Sequence, residues 1–515
     1  MKKIIIFLFV LVIFSNFSQA ISLLPVKTNE EVYVFDAKEV GIVEGVVSKD
    51  IALSNVKAWN SAMNSLSKNV KIVQIDKLDA FFEVADYDYR ASKFNALRAI
   101  RIPSNIHLKM SDDVYLRVQP NASFSFHLLS VFEVKNVKIT GGHLIGDRYE
   151  HNYSPISDKN GNPRNSHEWG YCLSITSSKN ITVDNVYISS SSGDGINVNA
   201  SKIRNRDGSP GTTIISENIN IKNCFITECR RNNISIVDGN HINIIDNLIT
   251  KSGLGKEING SSSAGIAPKA GLDIEAYNEN GSNGEIYQYE KVENVMISGN
   301  TFKGNRKADI ILFISQNVLI EGNNIEKGIV CQYSSNSIIR KNTLIAKADE
   351  DGNMPTSGIS TSNSRRVFNI EISYNDITGF ENGLTLNGKA HKVHHNRVNE
   401  YKTGLVLGKL EDTEIYDNTY KTNQPKSYGL RSINGYVTGT VYLFNENFQA
   451  TNRPLNFINY NQKGTGTLNI KDCTFNTSSS NSGFKLYLYN SKNINFKNIT
   501  SNRNFEIVNS ENINY

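Results

Sequence analysis

Four stretches of this chain, Asn218-Ile-Asn-Ile-Lys-Asn223-Cys-Phe-Ile226, Asn294-Val-Met-Ile-Ser-Gly-Asn300-Thr-Phe302, Asn317-Val-Leu-Ile-Glu-Gly-Asn323-Asn-Ile325 and Asn369-Ile-Glu-Ile-Ser-Tyr-Asn375-Asp-Ile377, superpose as one unit. In each, apolar and polar residues alternate, the period-2 signature of a strand with one buried face. An Asn then marks a bend, and a second short strand follows. Asn suits that position because it tolerates left-handed backbone angles and hydrogen-bonds locally, and stacked copies can form a ladder.

A further apolar alternation follows each unit: Gly195-Ile-Asn-Val198, Asn233-Ile-Ser-Ile236, Gly271-Leu-Asp-Ile274, Gly358-Ile-Ser360, Gly383-Leu-Thr-Leu386 and Gly404-Leu-Val-Leu407. The bend residues Asn300, Asn323, Asn342, Asn375, Asn396 and Asn418 are 19 to 33 residues apart, which is one solenoid turn per repeat. Coils of this length with two or three strands and no helical crossover predict an all-β, single-stranded right-handed parallel β-helix. A chain of 515 residues can then be one domain, because each repeat packs only on its neighbours.

The N-terminal part reads differently. Asn55 to Leu66 predicts an amphipathic helix, and Ala99 to Val118 predicts strands around the turn Pro103-Ser-Asn105. A solenoid exposes a strand edge at each end, so an N-terminal capping helix is expected. The organisation predicted is a signal peptide over 1–20, a cap with the first coils over 21–125, and the β-helix over 126–515. The signal reading rests on Lys2 and Lys3, the apolar block Ile4 to Phe14, and the small-residue pattern Ser18-Gln19-Ala20. A membrane anchor needs about 20 apolar residues, and this block is broken by Ser15, Asn16 and Ser18. The expected product is secreted or periplasmic, with no integral membrane segment after cleavage.

Formal charge is +5, and removal of Lys2 and Lys3 with the signal leaves +3. That is too weak to argue for nucleic acid as a partner, and it permits an anionic substrate without implying one. The five cysteines are scattered and carry no zinc-type pair. They read as buried free thiols, with Cys224 to Cys229 the one spacing that allows a disulfide.

From Ala99 to Tyr515 the coil pattern resembles the pectate-lyase-like superfamily of right-handed β-helix proteins. That superfamily includes polysaccharide lyases, polygalacturonase-type glycoside hydrolases and phage tailspikes. Ser192-Gly193-Asp194-Gly195-Ile196 is similar to the Gly-Asp-Asp motif of the hydrolases, with Gly195 in place of the second acid. Their His-Gly motif is absent, and Arg231-Asn232-Asn233-Ile234-Ser235-Ile236 stands in that coil. Only Asp194 carries over.

Most coils are lean, but the bend spacings Asn185 to Asn223 and Asn247 to Asn300 are 38 and 53 residues. The extra chain falls in Asn199 to Glu217, Lys251 to Pro268 and Ala276 to Glu293, with a polar loop, Asp147 to Ser166, just upstream. Insertions on consecutive turns wall a groove, and a cleft is expected there. Alignment of the strands puts Asp194, Asn232 and Ala270 in one column, Asn197, Ser235 and Asp273 in a second, and Asn199, Val237 and Glu275 in a third. The last two columns point outward. Asp273 and Glu275 should project together, with Cα atoms about 6.6 Å apart, and Asp194 should lie near 10 Å away, two coils up. Three carboxylates on one open sheet repel one another unless Arg230, Arg231, Lys269, a cation or a substrate compensates. His167, Glu168, Trp169 and Tyr171 enter the preceding coil and can lie beside Asp194, where aromatic rings suit the apolar faces of sugars.

The leading expectation is an exported polysaccharide-degrading enzyme, a glycoside hydrolase acting through Asp194, Asp273 and Glu275 with His167 as a further acid or base. Glu168, Trp169, Tyr171, Asn197, Arg230, Arg231, Asn232 and Lys269 would shape the substrate site, without a metal or other cofactor. In hydrolysis one carboxylic acid protonates the leaving oxygen and a second activates water. The alternative is a polysaccharide lyase, in which Asp194, Asp273 and Glu275 hold Ca²⁺ and Arg231, Lys269 or His167 removes the proton. A non-catalytic carbohydrate-binding or adhesin solenoid is the third reading. For Asp194 the bland reading is turn chemistry before Gly195. For Arg230 and Arg231 it is solvated ion pairs, for His167 an idle surface histidine, and for Trp169 a packing plug.

Overall fold

The computed structural model describes residues 31–85, 98–157, 163–164, 166–204, 210–255, 262–277, 279–280, 286–287 and 290–515. The signal segment expected over residues 1–20 lies outside the described residues. No helix among those described is long and apolar enough to cross a membrane.

Alternation of buried and exposed positions makes every strand one-sided, and the chain closes those buried sides around a single axis. Three parallel faces result. The first carries Ser125–Phe132, Trp169–Thr176, Ile196–Asn199, Ile234–Ile236, Leu272–Glu275 and Ile310–Phe313, each paired in parallel with the next. The second runs through Lys179–Asp184, Glu217–Lys222, Gly239–Ile245 and Val292–Ser298. The third runs through Tyr187–Ser189, Phe225–Thr227, Leu248–Thr250 and Thr301–Lys303. The first two faces form a 33-stranded sheet and the third a 15-stranded one. The same parallel pairing continues to Glu511–Asn514.

Inward residues such as Ile196, Val198, Ile219, Ile221, Ile234, Ile236, Leu272 and Ile274 are fully buried. Each contributes about 1.5–3 kcal/mol by leaving water, so the axis of the solenoid is its core. Between the second and third faces runs the expected asparagine ladder. Nδ2 of Asn247, Asn300, Asn323, Asn342, Asn375 and Asn396 each donates to the Oδ1 of the next member, ending at Asn418, at 2.9 to 3.0 Å. Asn418 donates in turn to Glu446 Oε1. Asn223 is not a rung: Cys224 takes that position, its N–H donating to Asn247 Oδ1, and Asn223 is the left-handed residue just before it. A second row of left-handed asparagines, including Asn136, Asn180 and Asn218, turns the chain from the first face into the second.

The helix spans Lys49–Ser65 and so begins six residues before the predicted start, because Ser48 caps it by accepting from the Ile51 N–H. Trp59 is its buried anchor, edge-on to Phe82 and tied through Nε1 to the Arg101 carbonyl. All five cysteines are buried free thiols, so Cys224 and Cys229 are not bridged.

Candidate functional site

The described parts of the predicted insertions flank one face. Segments 146–168 and 251–271 lead into the first-face strands Trp169–Thr176 and Leu272–Glu275, whereas 200–216 and 276–291 leave that face on its other side. Three of the four carry small antiparallel hairpins: Ile156–Ser157 with Pro163–Arg164, Ser201–Arg204 with Pro210–Ile214, and Glu279–Asn280 with Ile286–Tyr287. Between these walls the floor is the outward column Ser174, Asn197, Ser235 and Asp273, with the register read from the sequence.

Three carboxylates gather on one guanidinium, with a fourth beside them. Arg231 Nη2 lies 2.8 Å from Glu275 Oε2, Nη1 lies 3.3 Å from Asp194 Oδ2, and Nε lies 3.5 Å from Glu168 Oε2. Asp273 completes the group through Asn232, whose Nδ2 donates to its Oδ2 at 3.3 Å and to Ser235 Oγ at 3.1 Å. The backbone N–H of Asn232 donates to Asp194 Oδ1 at 3.1 Å, and its Oδ1 accepts from the Ala270 N–H at 2.9 Å. Asn232 thus links the turn before it in the stack to the turn after it.

Asp194 owes its place to the glycines beside it. A side chain at Gly193 would meet the Glu168 carbonyl at 2.2 Å, and one at Gly195 would meet the Asn233 carbonyl at 2.6 Å. A second acid in place of Gly195 would not fit this stack.

The electrostatics divide the acids. Asp194 and Asp273 are 1% and 2% exposed, whereas the Glu275 side chain is 41% exposed and marks the open side. Burial, followed by the charge of Glu275, raises the Asp273 carboxyl well above the usual carboxylate range, and a side-chain hydrogen bond with Glu275 adds to it. Burial also raises Asp194, although Arg231, Ser235 and Asn232 oppose it. Burial works against the charge on Arg231, but Asp194 and Glu275 outweigh it and hold the guanidinium above its usual value. Burial and Glu275 thus bias Asp273 toward its protonated form, beside carboxylates that pair with Arg231.

Two expected site residues, His167 and Arg230, are engaged with the surrounding loops. His167 is fully buried behind the wall: Nδ1 lies 3.0 Å from His151 Nε2 and Nε2 lies 3.0 Å from the Ser154 carbonyl. His151 in turn bonds Asp147 Oδ2 at 2.7 Å, and Asn121 Nδ2 donates to the same oxygen. Burial and His151 hold the His167 imidazole down at about 4. It braces the loop and does not face the acids. Arg230 also points away. Its Nε donates to the Ala264 and Ser262 carbonyls, its Nη1 to those of Ser166 and His167, and its guanidinium lies 4.2 Å from the Tyr153 ring centre. Arg231, one residue on, is the arginine that reaches the carboxylates. Lys269 is in the left-handed region, and its carbonyl accepts from Ser252 Oγ and from the Lys307 N–H.

Tyr171 lies on the floor, stacked on His127 at 5.1 Å, and burial followed by the charge of Asp194 pushes its hydroxyl up. Trp169 is one of the more exposed large apolar side chains, edge-on to Phe124. Asn197 is buried within the floor column. Sequence reasoning did not single out Ser235 or the Asp147–His151 brace. Ser235 was legible from its place between Asn197 and Asp273; the brace left no periodic signal. Arg148, equally unforeseen, clamps the wall by donating to the carbonyls of Ser263, Glu228 and Leu254.

Among the described residues no group of three or more His, Cys, Asp and Glu side chains is arranged to hold a metal ion. At the four acids the compensating positive charge is Arg231.

Farther along the same face the outward column continues from Asp273 through Ile311, Val330 and Ser360. There it borders a depression of about 520 Å³ whose lining also includes Lys327, Asn353 and Arg306.

Residues 273–398 match the family described as "Right handed beta helix region". The solenoid is a right-handed β-helix. The chain is 31% identical over 341 residues to "Uncharacterized protein YclG" of Bacillus subtilis (strain 168), covering 65% of this chain and 54% of that protein. It is 28% identical over 349 residues to the SPbeta prophage-derived "uncharacterized protein YorA" of the same organism, covering 67% and 56%. The chain thus spans about half the length of the curated relatives it matches. Among solved structures it is similar to the A-module of the Azotobacter vinelandii mannuronan C-5 epimerase AlgE4, with 10% identity, TM-score 0.45, and 83% of this chain and 96% of that chain covered. It is also similar to the tailspike of E. coli bacteriophage HK620 in complex with a hexasaccharide, with 10% identity, TM-score 0.48, and 89% and 76% covered. A third similar structure is the Streptococcus pneumoniae surface adhesin PfbA, with 12% identity, TM-score 0.38, and 94% and 93% covered. These likenesses are likenesses of fold.

Proposed function

We propose that the protein is an exported glycoside hydrolase that cuts a polysaccharide bound along the walled first face. The observation that carries this reading is the buried Asp273 carboxyl, raised by burial and by the charge of Glu275, beside the Arg231-paired carboxylates of Asp194 and Glu275. Glycosidic cleavage needs that division of labour: an acid with a raised pKa to protonate the leaving oxygen, and a carboxylate to activate water or attack the sugar. Asp273 takes the first role and Glu275, on the open side, the second; substrate entry would part the hydrogen bond between them to the separation of about 5 Å or more that hydrolysis needs. Asp194 and Arg231 fix the field between them, and the exposed Trp169 supplies a ring for a sugar face.

The face beyond the acids is long enough for a polymer. Ser360 lies three coils beyond Asp273, about 14 Å at 4.8 Å per coil, so a bound chain can run from the acids into the depression beside Lys327. The geometry favours hydrolysis over elimination for a specific reason. Elimination needs a base able to shed its proton; of the three candidates, Arg231 is held charged by its carboxylates and the ring nitrogens of His167 are engaged behind the wall, which leaves Lys269 as the base a lyase would use.

The test is a screen of the protein against neutral and uronic-acid polysaccharides, following reducing ends together with the ultraviolet absorbance of an unsaturated product, with and without EDTA. Reducing ends without matching absorbance support hydrolysis. Matched absorbance that EDTA abolishes would make the protein a calcium-dependent lyase, and binding without turnover would make it an adhesin-type solenoid.

A further inference from the structure

The second face carries a cluster that the groove does not use. His394 ends the strand Lys392–His394, and His395 follows it in the left-handed conformation. This bend brings the two Nδ1 atoms to 3.1 Å from each other. Each ring is held from outside the pair: His394 stacks on Tyr416 with centroids 4.8 Å apart, and His395 stacks on Tyr374 at the same distance. Each Nε2 faces a carboxylate, that of His394 at 3.7 Å from Glu371 and that of His395 at 3.8 Å from Asp417.

The two Nδ1 atoms share a hydrogen bond, one ring donating and the other accepting, so a metal ion that replaced the shared proton would meet both lone pairs. The charge of Glu371 and Asp417 would then favour the remaining proton of each ring on Nε2, as second-sphere carboxylates do for metal-binding histidines. We infer that His394 and His395 form a two-nitrogen seat for a divalent late transition-metal ion. A metal 2.0–2.1 Å from each nitrogen would subtend about 95–102° between them, within the range of cis ligands in square, octahedral or tetrahedral shells. Imidazole nitrogens select such ions over calcium or magnesium, with copper(II) the tightest of the series. The His395 side chain is 42% exposed, so the remaining positions of the shell are open to solvent. Aromatic stacking keeps both rings aimed, which lowers the ordering cost of binding. The seat lies on a different face from the four carboxylates and works independently of them.

The experiment is titration of the full chain with copper(II), read by electron paramagnetic resonance and calorimetry, beside His395→Gln, His394→Gln and Asp417→Asn. Expected are one bound equivalent with coupling to two imidazole nitrogens, loss of that coupling in either His→Gln variant, and about tenfold weaker binding in Asp417→Asn. Thermal unfolding of the variants checks that each is folded. A full chain that binds no stoichiometric copper(II), or binds it unchanged in folded His394→Gln and His395→Gln, overturns the assignment.

Discussion

Nδ2 of Asn232 lies 3.3 Å from Oδ2 of Asp273 and carries no charge, so it orients the acid without drawing off its proton. An arginine or lysine at that position would pull Asp273 toward the anion. The same residue holds Asp194 through its backbone, so Asn232→Ala should misplace Asp273 while leaving Asp194 in place. On the favoured substrate, kcat should fall about 100-fold with KM nearly unchanged, the signature of lost alignment. Steady-state kinetics on the folded variant decide it.

Among the described residues Arg231 pairs with Glu168, Asp194 and Glu275. Arg231→Met would leave Asp194 buried without its counter-charge, and breaking such a pair costs about 3–5 kcal/mol. Denaturant unfolding should show a loss of that order near neutral pH. The loss should shrink as the pH is lowered and Asp194 takes up a proton.

His167 braces the wall through His151 and the Ser154 carbonyl. His167→Ala should therefore cost about 1–3 kcal/mol of stability by stranding buried partners, seen as a lowered unfolding midpoint. The pH profile of turnover should keep its shape. A profile that loses a limb in this variant would return His167 to the chemistry.

The fold was legible because a period-2 pattern repeated at solenoid spacing leaves one way to bury every strand. The register of Asn197, Ser235 and Asp273 was legible for the same reason, since a one-residue slip would turn Ile234, Ile236, Leu272 and Ile274 out to solvent. What periodicity does not encode stayed hidden. Arg230 and Arg231 are neighbours in a turn, and which one faces the groove depends on where the carbonyls of Ser262 and Ala264 fall. His167 looked accessible because a loop sequence does not reveal that His151 and Asp147 will close around it. The ladder position was read one residue early at Asn223 because Cys224 does not resemble the asparagines that follow it.

Glu446 stands where the next asparagine of the ladder would be, accepting from the Asn418 N–H and Nδ2 at 2.9 Å. Burial pushes its carboxyl up to about 8, against about 4.3 in the unfolded chain. A carboxyl raised on folding contributes its stability fully below the unfolded value, and loses it as pH rises through the folded one. Glu446→Gln, which keeps the acceptor and cannot ionise, should remove that loss. The variant should gain more than about 1 kcal/mol relative to the native protein between about pH 5 and about pH 9, read from denaturant midpoints.

The central claim is that Asp273 delivers a proton to a glycosidic oxygen. Asp273→Asn preserves size and the hydrogen bond from Asn232 by accepting through Oδ1, but has no acidic proton to give. Turnover of the polysaccharide selected by the screen should fall by about 10²–10⁴-fold, while the same polymer binds the variant as tightly as it binds the native protein. Turnover that survives in a folded Asp273→Asn variant would contradict the account.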